Sequence, residues 1–245
     1  MENEYGLVGY KLSHSFSQSY FTEKFRTEGI VNSVYHLFEL NSILDFPRLI
    51  ASHPNLRGLN VTIPYKEAII PFLDGLESAA AQIGAVNVIK FENGKLIGHN
   101  SDYQGFMQSL QNFYPCYPHS QALVLGTGGA AKAVLAALEY LNISYRLVSR
   151  TSQAGMLTYE ELTPGVMASV SLIINASPVG TFPKADVAPA IPYELLSSHH
   201  YLYDLVYNPA ETLFLKLGKE RGAKTSNGFE MLCLQAEVAW EIWNS

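Results

Sequence analysis

Polar side chains that could carry chemistry follow several apolar, strand-like runs in the first hundred residues. They are Asn60, Thr62 and Lys66 in GLNVTIPYK, Asn87 in GAVNV, and Asn100 and Asp102 in GHNSD. In open α/β sheets, ligands bind outside the carboxyl ends of the strands, so this set predicts a cleft lined with donors and acceptors. Lys66 and Asp102 are its one pair of opposite charges, and such groups can transfer protons in a reaction.

Each of these residues also has a plain structural interpretation. Pro64 ends a strand because proline has no amide donor, and Lys66 would then be a solvated loop charge. Asn and Asp are common in turns for their own local hydrogen bonds. The recurrence of such residues on successive strand ends is what favours a functional site.

The first hundred residues alternate strand-like and helix-like segments. Strands are predicted at YGLVGY, SVYHLFEL, LRGLNVTI, AVNVIKFE and KLIGHN, and helices at SQSYFTEKFRTEG, LDFPRLIASHP and residues 66–82. Asn93 and Gly94 in IKFENGKLIG predict a β-hairpin turn, because both residue types accept a positive φ. Residues 1–101 are therefore predicted to form a mixed-sheet α/β domain with an antiparallel edge, which would bind substrate and carry the catalytic groups.

From Asp102 onward, the predicted strands and helices follow a different pattern. The helix DYQGFMQSLQNFYP is followed by a strand, a turn and a helix in QALVLGTGGAAKAVLAALEYLN, and then by strands in SYRLVSRT, SLIINASPVG and HYLYDLVYNP, the last ending in Pro209. Alternating strands and helices predict a parallel sheet with covered faces. Residues 102–227 are expected to form this second domain, and residues 228–245 a C-terminal helix that packs back on the first.

The segment GTGGAA, residues 126–131, follows an apolar strand and opens an alanine-rich helix. It is the GxGxxG pattern with Ala131 in the last position. Gly126 permits a tight turn, Gly128 lets the backbone approach a pyrophosphate, and the helix N-terminus favours an anion. A tight turn without a ligand is the alternative, but the strand before and the helix after favour a Rossmann-type dinucleotide-binding domain.

The end of the next strand discriminates between nicotinamide cofactors. An NAD site commonly has Asp or Glu there, for the ribose 2′-hydroxyl. This sequence has Ser149, Arg150 and Thr151, so no carboxylate would repel a 2′-phosphate and a guanidinium and a hydroxyl could bind it. NADP(H) is predicted over NAD(H), with a surface salt bridge as the alternative role for Arg150.

Composition and charge exclude several classes of protein. The 245 residues, 48% hydrophobic and 16% charged, suit one large or two smaller globular domains. The net charge of −6 argues against non-specific nucleic-acid binding. Cys116 and Cys233, without a CxxC motif, predict reduced thiols in a cytoplasmic protein and no metal site. No signal peptide and no apolar run of the roughly 20 residues of a membrane span are recognisable.

Motifs over almost the whole chain resemble the shikimate dehydrogenase family. The first domain has the serine motif SHSFS with Ser15 and Ser17, NVTIPxK at 60–66, GAVN at 84–87 and GxNTD, as GHNSD, at 98–102. The second has GxGGAxxA at 126–133, an Asn-Arg-Thr cluster as Ser149 to Thr151, NATPxG as NASPVG at 175–180, DxxYxPxxT at 204–212 and GxxMLxxQ at 228–235. These motifs, in this order, make the resemblance highly specific.

The resemblance implies an activity and a set of partners. The activity is the reversible reduction of 3-dehydroshikimate to shikimate with NADPH, in aromatic amino-acid biosynthesis. The small-molecule substrate and NADP(H) would be the ligands, with no nucleic acid, no membrane and no metal. The protein would be cytoplasmic, and a monomer or a homodimer.

The resemblance also implies a role for each matching residue. Lys66 and Asp102 would be catalytic: Lys66 donates a proton to the ketone oxygen as hydride arrives, and Asp102 either orients Lys66 or binds a ring hydroxyl and shares the proton. The substrate-binding residues would be Ser15, Ser17, Thr62, Asn87, Tyr207 and Gln235. The cofactor-binding residues would be Gly126, Thr127, Gly128, Gly129, Ala130, Ser149, Arg150, Thr151, Leu205 and Gly228.

The two serines would bind the substrate carboxylate, because hydroxyls and free N–H groups before a helix suit an anion; plain helix capping is their alternative. His14 and His99 neighbour the site, but a lone histidine is more often structural. The sequence departs from the family pattern at four positions. Gln18 replaces a proline, and Ser101 and Ser177 replace threonines. Ser149 replaces an amide residue, and this change affects the contacts expected on the adenine side of the cofactor.

Three other functions compete with this interpretation. The nearest is a quinate/shikimate dehydrogenase with relaxed use of NAD and NADP. A non-catalytic ligand sensor is disfavoured because Lys66 and Asp102 are both retained. A related two-domain reductase that acts on a folate is disfavoured by the paired serines, GHNSD and Gln235.

Overall fold

The computed structural model describes residues 2–12, 15–117, 119 and 121–245. Ser13 and His14 of the serine motif therefore lie outside the described residues. The chain divides into two compact units, residues 1–101 with 236–245, and residues 102–235. In the part of the chain that is described, no helix combines the length and the apolar character needed to span a membrane.

Among its described residues, the first unit contains one six-stranded sheet and, ahead of the C-terminal helix, four α-helices. The strands are β1 (Asn3–Gly9), β2 (Ser33–Glu39), β3 (Leu56–Val61), β4 (Gly75–Leu76), β5 (Val88–Glu92) and β6 (Lys95–His99). The helices are α1 (Phe16–Thr27), α2 (Phe46–Ser52), α3 (Tyr65–Ala68) and α4 (Ser78–Ile83).

The sheet of the first unit has the order β2-β1-β3-β5-β6-β4. Strand β1 runs parallel to β2 and β3, whereas β5 runs antiparallel to β3 and to β6. The hairpin between β5 and β6 turns at Asn93 and Gly94, which have φ values of 51° and 76°. The predicted mixed sheet with an antiparallel edge is confirmed.

The helix predicted over residues 66–82 is wrong. The segment folds as α3, a 3₁₀ turn at Ile70–Phe72, strand β4 and helix α4. Pro71 has no amide donor for a continuing α-helix, and the Gly75–Leu76 strand instead pairs with Ile97 and Gly98 of β6. Helix α4 starts anew at Glu77, whose carboxylate accepts a hydrogen bond of 2.9 Å from the Ala79 amide.

The described residues of the second unit form a six-stranded sheet in which all the strand pairings are parallel. The elements of this unit are α5 (Asp102–Phe113), β7 (Gln121–Leu125), α6 (Gly129–Tyr140), β8 (Ser144–Ser149), β9 (Leu157–Thr158), α7 (Pro164–Ser169), β10 (Leu172–Asn175), β11 (Tyr201–Asp204), α8 (Leu213–Glu220) and β12 (Lys224–Ser226).

Successive residues of the central strands β7 and β10 pack into two different clusters of the core. Val124 and Ile174 belong to one cluster, and Leu123 and Ile173 to the other. Side chains alternate across a strand, so both faces of this sheet are covered, as the continuous apolar runs predict. The two-domain α/β class and the Rossmann-type parallel sheet are thereby confirmed.

Strand β11 ends at Asp204, five residues before the predicted end at Pro209. The Asp204 carboxylate accepts a hydrogen bond of 3.0 Å from the amide of Val206, and this local bond turns the chain away from the sheet. Residues 205–212 consequently form a loop rather than the end of a strand.

The last helix, α9 (Phe229–Asn244), begins in the second unit and ends in the first. In the second unit, Glu230 accepts hydrogen bonds from Ser109 and Asn112 of α5. In the first unit, Trp243 donates a hydrogen bond of 3.1 Å to the Ile89 carbonyl, and its ring occupies the space that a side chain on Gly58 would need. The C-terminal helix therefore packs back on the first unit, as predicted, from Ala236 onward.

Candidate active site

Buried polar groups in the first unit form a continuous hydrogen-bonded network. The Tyr35 hydroxyl bonds to Ser17 and donates to Asn60 Oδ1 at 2.7 Å. Asn60 Nδ2 donates to the Asn87 carbonyl at 3.3 Å, and Asn87 Nδ2 donates to Ser101 Oγ at 3.0 Å. The amide of Ser101 in turn donates to Asn87 Oδ1 at 2.7 Å. The network fixes the orientation of the Asn87 side chain and places Ser17 on the same polar cluster.

The two serines of the predicted carboxylate site occupy the start of α1. Ser15 is the N-cap residue, but its side chain makes no capping hydrogen bond. Ser17 lies in the first turn and bonds to Tyr35. Helix capping was the alternative to carboxylate binding for Ser15, and its hydroxyl does not cap the helix in this structure.

Thr62 and Lys66 are held by the backbone that follows β3. The Thr62 amide donates to the Val8 carbonyl at 2.9 Å, and the Lys66 carbonyl accepts from the Val86 amide at 2.7 Å. The latter bond ties α3 to the segment that leads to Asn87. The Lys66 side chain is half-buried rather than fully solvated.

The remaining predicted substrate-side residues belong to the second unit. Asp102 is the first residue of α5 and is half-buried. Gln235 is buried and donates from Nε2 to the Leu232 carbonyl at 2.9 Å. Tyr207, on the loop after β11, is 39% exposed.

His99 is the last residue of β6, and its side chain is partly buried. Its Nε2 is buried and has no hydrogen-bond partner in the described part of the chain. Burial lowers the pKa of His99, and the nearby Glu77 carboxylate opposes that effect. The ring is consequently a neutral packing group near neutral pH.

A cavity of about 650 Å³ opens at the carboxyl ends of the parallel strands in the second unit. Its walls come from the ends of β7, β8 and β10 and the residues that follow them, with one further residue after β8 and one directly after β9. They are Gly126–Gly128, Val148–Thr151, Ala176–Val179, Gln153 and Tyr159. The strand order β12-β11-β10-β7-β8-β9 reverses direction between β7 and β10. Ligands in open α/β sheets bind at such a switch point.

The glycine-rich turn fits a dinucleotide in this cavity. Gly126 has a φ of +109°, and a Cβ there would lie 3.1 Å from the Cβ of Ser177. A Cβ on Gly128 or Gly129 would instead meet no atom within 4 Å, so it would project into open space. These glycines leave room for a ligand at the N-terminus of α6, whose free amides suit a pyrophosphate.

Six of the predicted cofactor residues line the cavity, namely Gly126, Thr127, Gly128, Ser149, Arg150 and Thr151. Ser149 is buried, and its hydroxyl accepts a hydrogen bond of 3.2 Å from the Thr151 amide. This bond shapes the turn so that Arg150 is exposed. Ser149 therefore positions the turn in addition to lining the cavity.

Leu205 and Gly228, which the sequence assigns to the nicotinamide side, lie next to each other. A Cβ on Gly228 would overlap the Leu205 carbonyl, and the Gly228 amide donates to the Val206 carbonyl at 3.3 Å. Only glycine permits this close approach of the two backbone segments.

Asp204 anchors the loop that carries Leu205 and Tyr207. Its buried carboxylate accepts hydrogen bonds from Thr212 Oγ1 at 2.6 Å, Asn175 Nδ2 at 2.9 Å and the Val206 amide at 3.0 Å. Asn175 also donates to the Val179 carbonyl at 3.1 Å. One carboxylate thus connects this loop to the cavity wall at Ala176–Val179. Burial raises the pKa of Asp204 to about 6, although the three donors oppose the rise.

Several residues of these sites were not among the predicted site residues. Tyr35 completes the polar network of the first unit, Gln153 and Tyr159 line the cavity, and Asp204 anchors the loop after β11. Asp204 stands in a recognisable motif, which could have indicated its importance. Tyr35 and Tyr159 reach their sites through strand pairing and carry no comparable signal.

The second unit has a parallel sheet with a glycine-rich turn at its switch point. An arginine stands where NAD-binding domains commonly have a carboxylate. These features indicate a class of protein, the nicotinamide-dependent oxidoreductases. The second unit has the Rossmann-type parallel sheet that is typical of the dinucleotide-binding domains of nicotinamide-dependent oxidoreductases, and the first is a mixed α/β domain with a polar network. Residues 7–89 match the family model of the shikimate dehydrogenase substrate binding domain.

Relatives over nearly the full length specify the family. A shikimate dehydrogenase (NADP(+)) from Clostridium beijerinckii is 39% identical over 254 residues, which cover 98% of this chain and 91% of that protein. The chain belongs to the shikimate dehydrogenase family.

Solved structures agree with this assignment. The shikimate dehydrogenase from Aquifex aeolicus has a TM-score of 0.87 at 36% identity, covering 99% of this chain and 92% of that one. The enzyme from Thermus thermophilus, in complex with NADP(H) and shikimate, has a TM-score of 0.86 at 30% identity, covering 98% of this chain and 93% of that one.

Proposed function

We propose that the chain catalyses the reversible reduction of 3-dehydroshikimate to shikimate with NADPH, as a cytoplasmic enzyme of aromatic amino-acid biosynthesis that is a monomer or a homodimer. The observation that carries this proposal is the near-full-length similarity to enzymes named shikimate dehydrogenase (NADP(+)). Within the described part of the chain neither Cys116 nor Cys233 forms a disulfide, in keeping with a reducing compartment.

The cavity of the second unit would hold the cofactor, which supplies the hydride when bound. The amides of Gly126–Ala130 face the pyrophosphate at the start of α6. Arg150 and Thr151 bind the 2′-phosphate, because a planar guanidinium and a hydroxyl suit phosphate oxygens. Leu205 and Gly228 line the nicotinamide side, where Asp204 holds the loop in place.

The substrate is bound by a set of polar side chains. Ser15 and Ser17 bind its carboxylate at the start of α1. Thr62, Asn87, Tyr207 and Gln235 hydrogen-bond its oxygens. Asn87 is oriented for this task by its two bonds to Ser101, so a ligand finds the amide already in place.

Lys66 and Asp102 carry the proton chemistry. Lys66 donates a proton to the carbonyl oxygen as negative charge develops there, and in the reverse direction neutral Lys66 removes the hydroxyl proton. Asp102 orients Lys66 or shares the proton through a ring hydroxyl. The half-buried position of both side chains limits competition from water.

A spectrophotometric assay of the absorbance of reduced nicotinamide tests the function. It compares shikimate with quinate, each with NADP⁺ and with NAD⁺. We expect the highest kcat/KM for shikimate with NADP⁺, at least about tenfold above NAD⁺, from charge-assisted bonds to the 2′-phosphate. Equal turnover of quinate would favour a quinate/shikimate dehydrogenase, and binding without turnover would favour a ligand sensor.

A further inference from the structure

Tyr159 is one of the residues that line the cofactor cavity. Its side chain is half-buried, yet among the described residues no hydrogen bond to its hydroxyl is made. Other tyrosine hydroxyls of the second unit do have partners: Tyr114 with Ser171, Tyr145 with Glu139, Tyr193 with Pro189, Tyr201 with Lys224 and Tyr203 with Ser109. Because a partly buried tyrosine hydroxyl usually has a partner, a ligand of the cavity is the natural one for Tyr159.

Strand pairing places Tyr159 beside Arg150. Strand β9 runs parallel to β8 with Val148 opposite Leu157 and Ser149 opposite Thr158. Arg150 directly follows the last residue of β8, and Tyr159 directly follows the last residue of β9. The two residues therefore leave the sheet side by side. Both then line the cavity.

The position of Tyr159 is fixed by the turn that it begins. Tyr159 opens a 3₁₀ turn, and the amide of Thr158 donates to Glu161 Oε2 at 2.7 Å in a capping box. Leu157 is buried in the core of the unit, and the Tyr159 ring packs on that same cluster. The ring is therefore held against the core at one wall of the cavity.

The charge of Arg150 reaches Tyr159. Burial raises the pKa of the Tyr159 hydroxyl, and the Arg150 guanidinium partly opposes this rise. Tyr159 in turn contributes to raising the pKa of Tyr193. The Tyr159 hydroxyl therefore keeps its proton at neutral pH and is a donor next to a cation, a pairing that suits a phosphate oxygen.

We propose that the Tyr159 hydroxyl donates a hydrogen bond to the phosphate on the ribose 2′ carbon of the cofactor, beside Arg150 and Thr151, and that Tyr159 is a specificity-determining residue for NADP(H). The inference rests on the proposed function, because it needs a phosphorylated dinucleotide in this cavity. The proposed contact is made by the hydroxyl of Tyr159 and not by its ring. A substitution that removes only the hydroxyl oxygen therefore tests it.

The test is calorimetric binding of adenosine 2′,5′-bisphosphate and of adenosine 5′-monophosphate, which lacks the 2′-phosphate. Tyr159→Phe keeps the packed ring, and we expect it to weaken binding of the bisphosphate about tenfold, the scale of one hydrogen bond to a charged group, and to leave the monophosphate unchanged. Tyr145→Phe is the matched control, since it removes a hydroxyl that bonds to Glu139 outside the cavity.

The outcomes separate this inference from the proposed function. A wild-type protein that prefers the bisphosphate, with Tyr159→Phe binding it equally well, would overturn the role of Tyr159 alone. An equal loss for both nucleotides would also overturn it, because the 2′-phosphate would not be involved. A wild-type protein without any preference for the bisphosphate would overturn the inference together with the choice of NADP(H).

Discussion

Lys66 follows β3 by one short turn, with its backbone carbonyl bonded to Val86 and its side chain half-buried. Lys66→Ala removes the proposed proton donor without emptying the core. We expect kcat to fall by roughly 10²–10⁴, the usual scale for a general acid, while the fold is retained. Steady-state kinetics with shikimate and NADP⁺, with circular dichroism to check the fold, measure the effect.

The exposed Lys95, on the β5–β6 hairpin, provides the matched control for Lys66. Lys95→Ala removes an equal charge from the same unit and should leave kcat unchanged. If Lys66→Ala turned over at nearly the wild-type rate, Lys66 would have no part in the proton transfer.

Arg150 follows β8 and is exposed beside the cavity. Arg150→Ala should raise the KM for NADPH by about tenfold or more and change the KM for NADH little, because only the former carries the 2′-phosphate. Arg146→Ala, on the same strand but outside the cavity wall, is the control. Equal changes for both cofactors would show that Arg150 does not contact the 2′-phosphate.

At the scale of residues, the sequence predicts the groups that stand in short motifs. Arg150 and the glycines of the turn are recognisable because the chemistry demands those residue types at strand ends. Tyr35 and Tyr159 are not recognisable, since their roles depend on which strand lies beside β1 and beside β8. That neighbour relation is a property of the whole sheet and leaves no local pattern.

Among the elements, the loop after β11 depends on a buried carboxylate. The pKa of Asp204 is raised to about 6 in the folded protein by burial, whereas an unfolded chain has a value near ~3.9. A raised carboxyl pKa stabilises the fold fully below ~3.9, and this contribution is lost as the pH rises through about 6. Burial and the nearby charge of Asp204 raise the pKa of Tyr193, so Tyr193 stays neutral over this pH range.

Asp204→Asn should remove this pH dependence because an amide does not titrate. The free energy of unfolding of the wild type, relative to Asp204→Asn, should fall by about 2–3 kcal/mol between pH ~4 and ~6.5. Urea unfolding at several pH values measures the difference. A difference that stays constant over this range would show that Asp204 does not titrate there.

The end of α9 stabilises the first unit. The Trp243 ring lies 5.1 Å from Tyr5 and 5.3 Å from Phe21, measured between ring centroids, and it covers Gly58. Trp243→Ala should lower the free energy of unfolding by about 3–5 kcal/mol, the cost of a large cavity in a core. Chemical denaturation measures it, with the exposed Asn244→Ala as control; similar values for both variants would contradict the packing role.

Element prediction failed where local pattern and sheet pairing compete. Residues 66–82 have a helix-like pattern, but Pro71 interrupts it and Gly75–Leu76 gain sheet hydrogen bonds at the edge of β6. The two-residue strand β9 was missed for a related reason, because it is too short to show alternation. Both omissions concern strands at the edge of a sheet.

For the whole molecule, the sequence predicts two α/β units because the pattern of predicted strands and helices changes near Asp102. The structure divides between Ser101 and Asp102, and again inside α9 between Gln235 and Ala236. The second division falls within a continuous helix, where no break in the sequence pattern marks it.

In the proposed reaction, a hydride passes directly between NADP(H) and the carbon that carries the substrate oxygen. The most direct test of this transfer supplies 3-dehydroshikimate with NADPH deuterated at C4 of the nicotinamide, on one face and then on the other, and weighs the product by mass spectrometry. We predict shikimate with one added deuterium from one of the two labelled faces and none from the other. Unlabelled product from both cofactors, or no product at all, would contradict the claim.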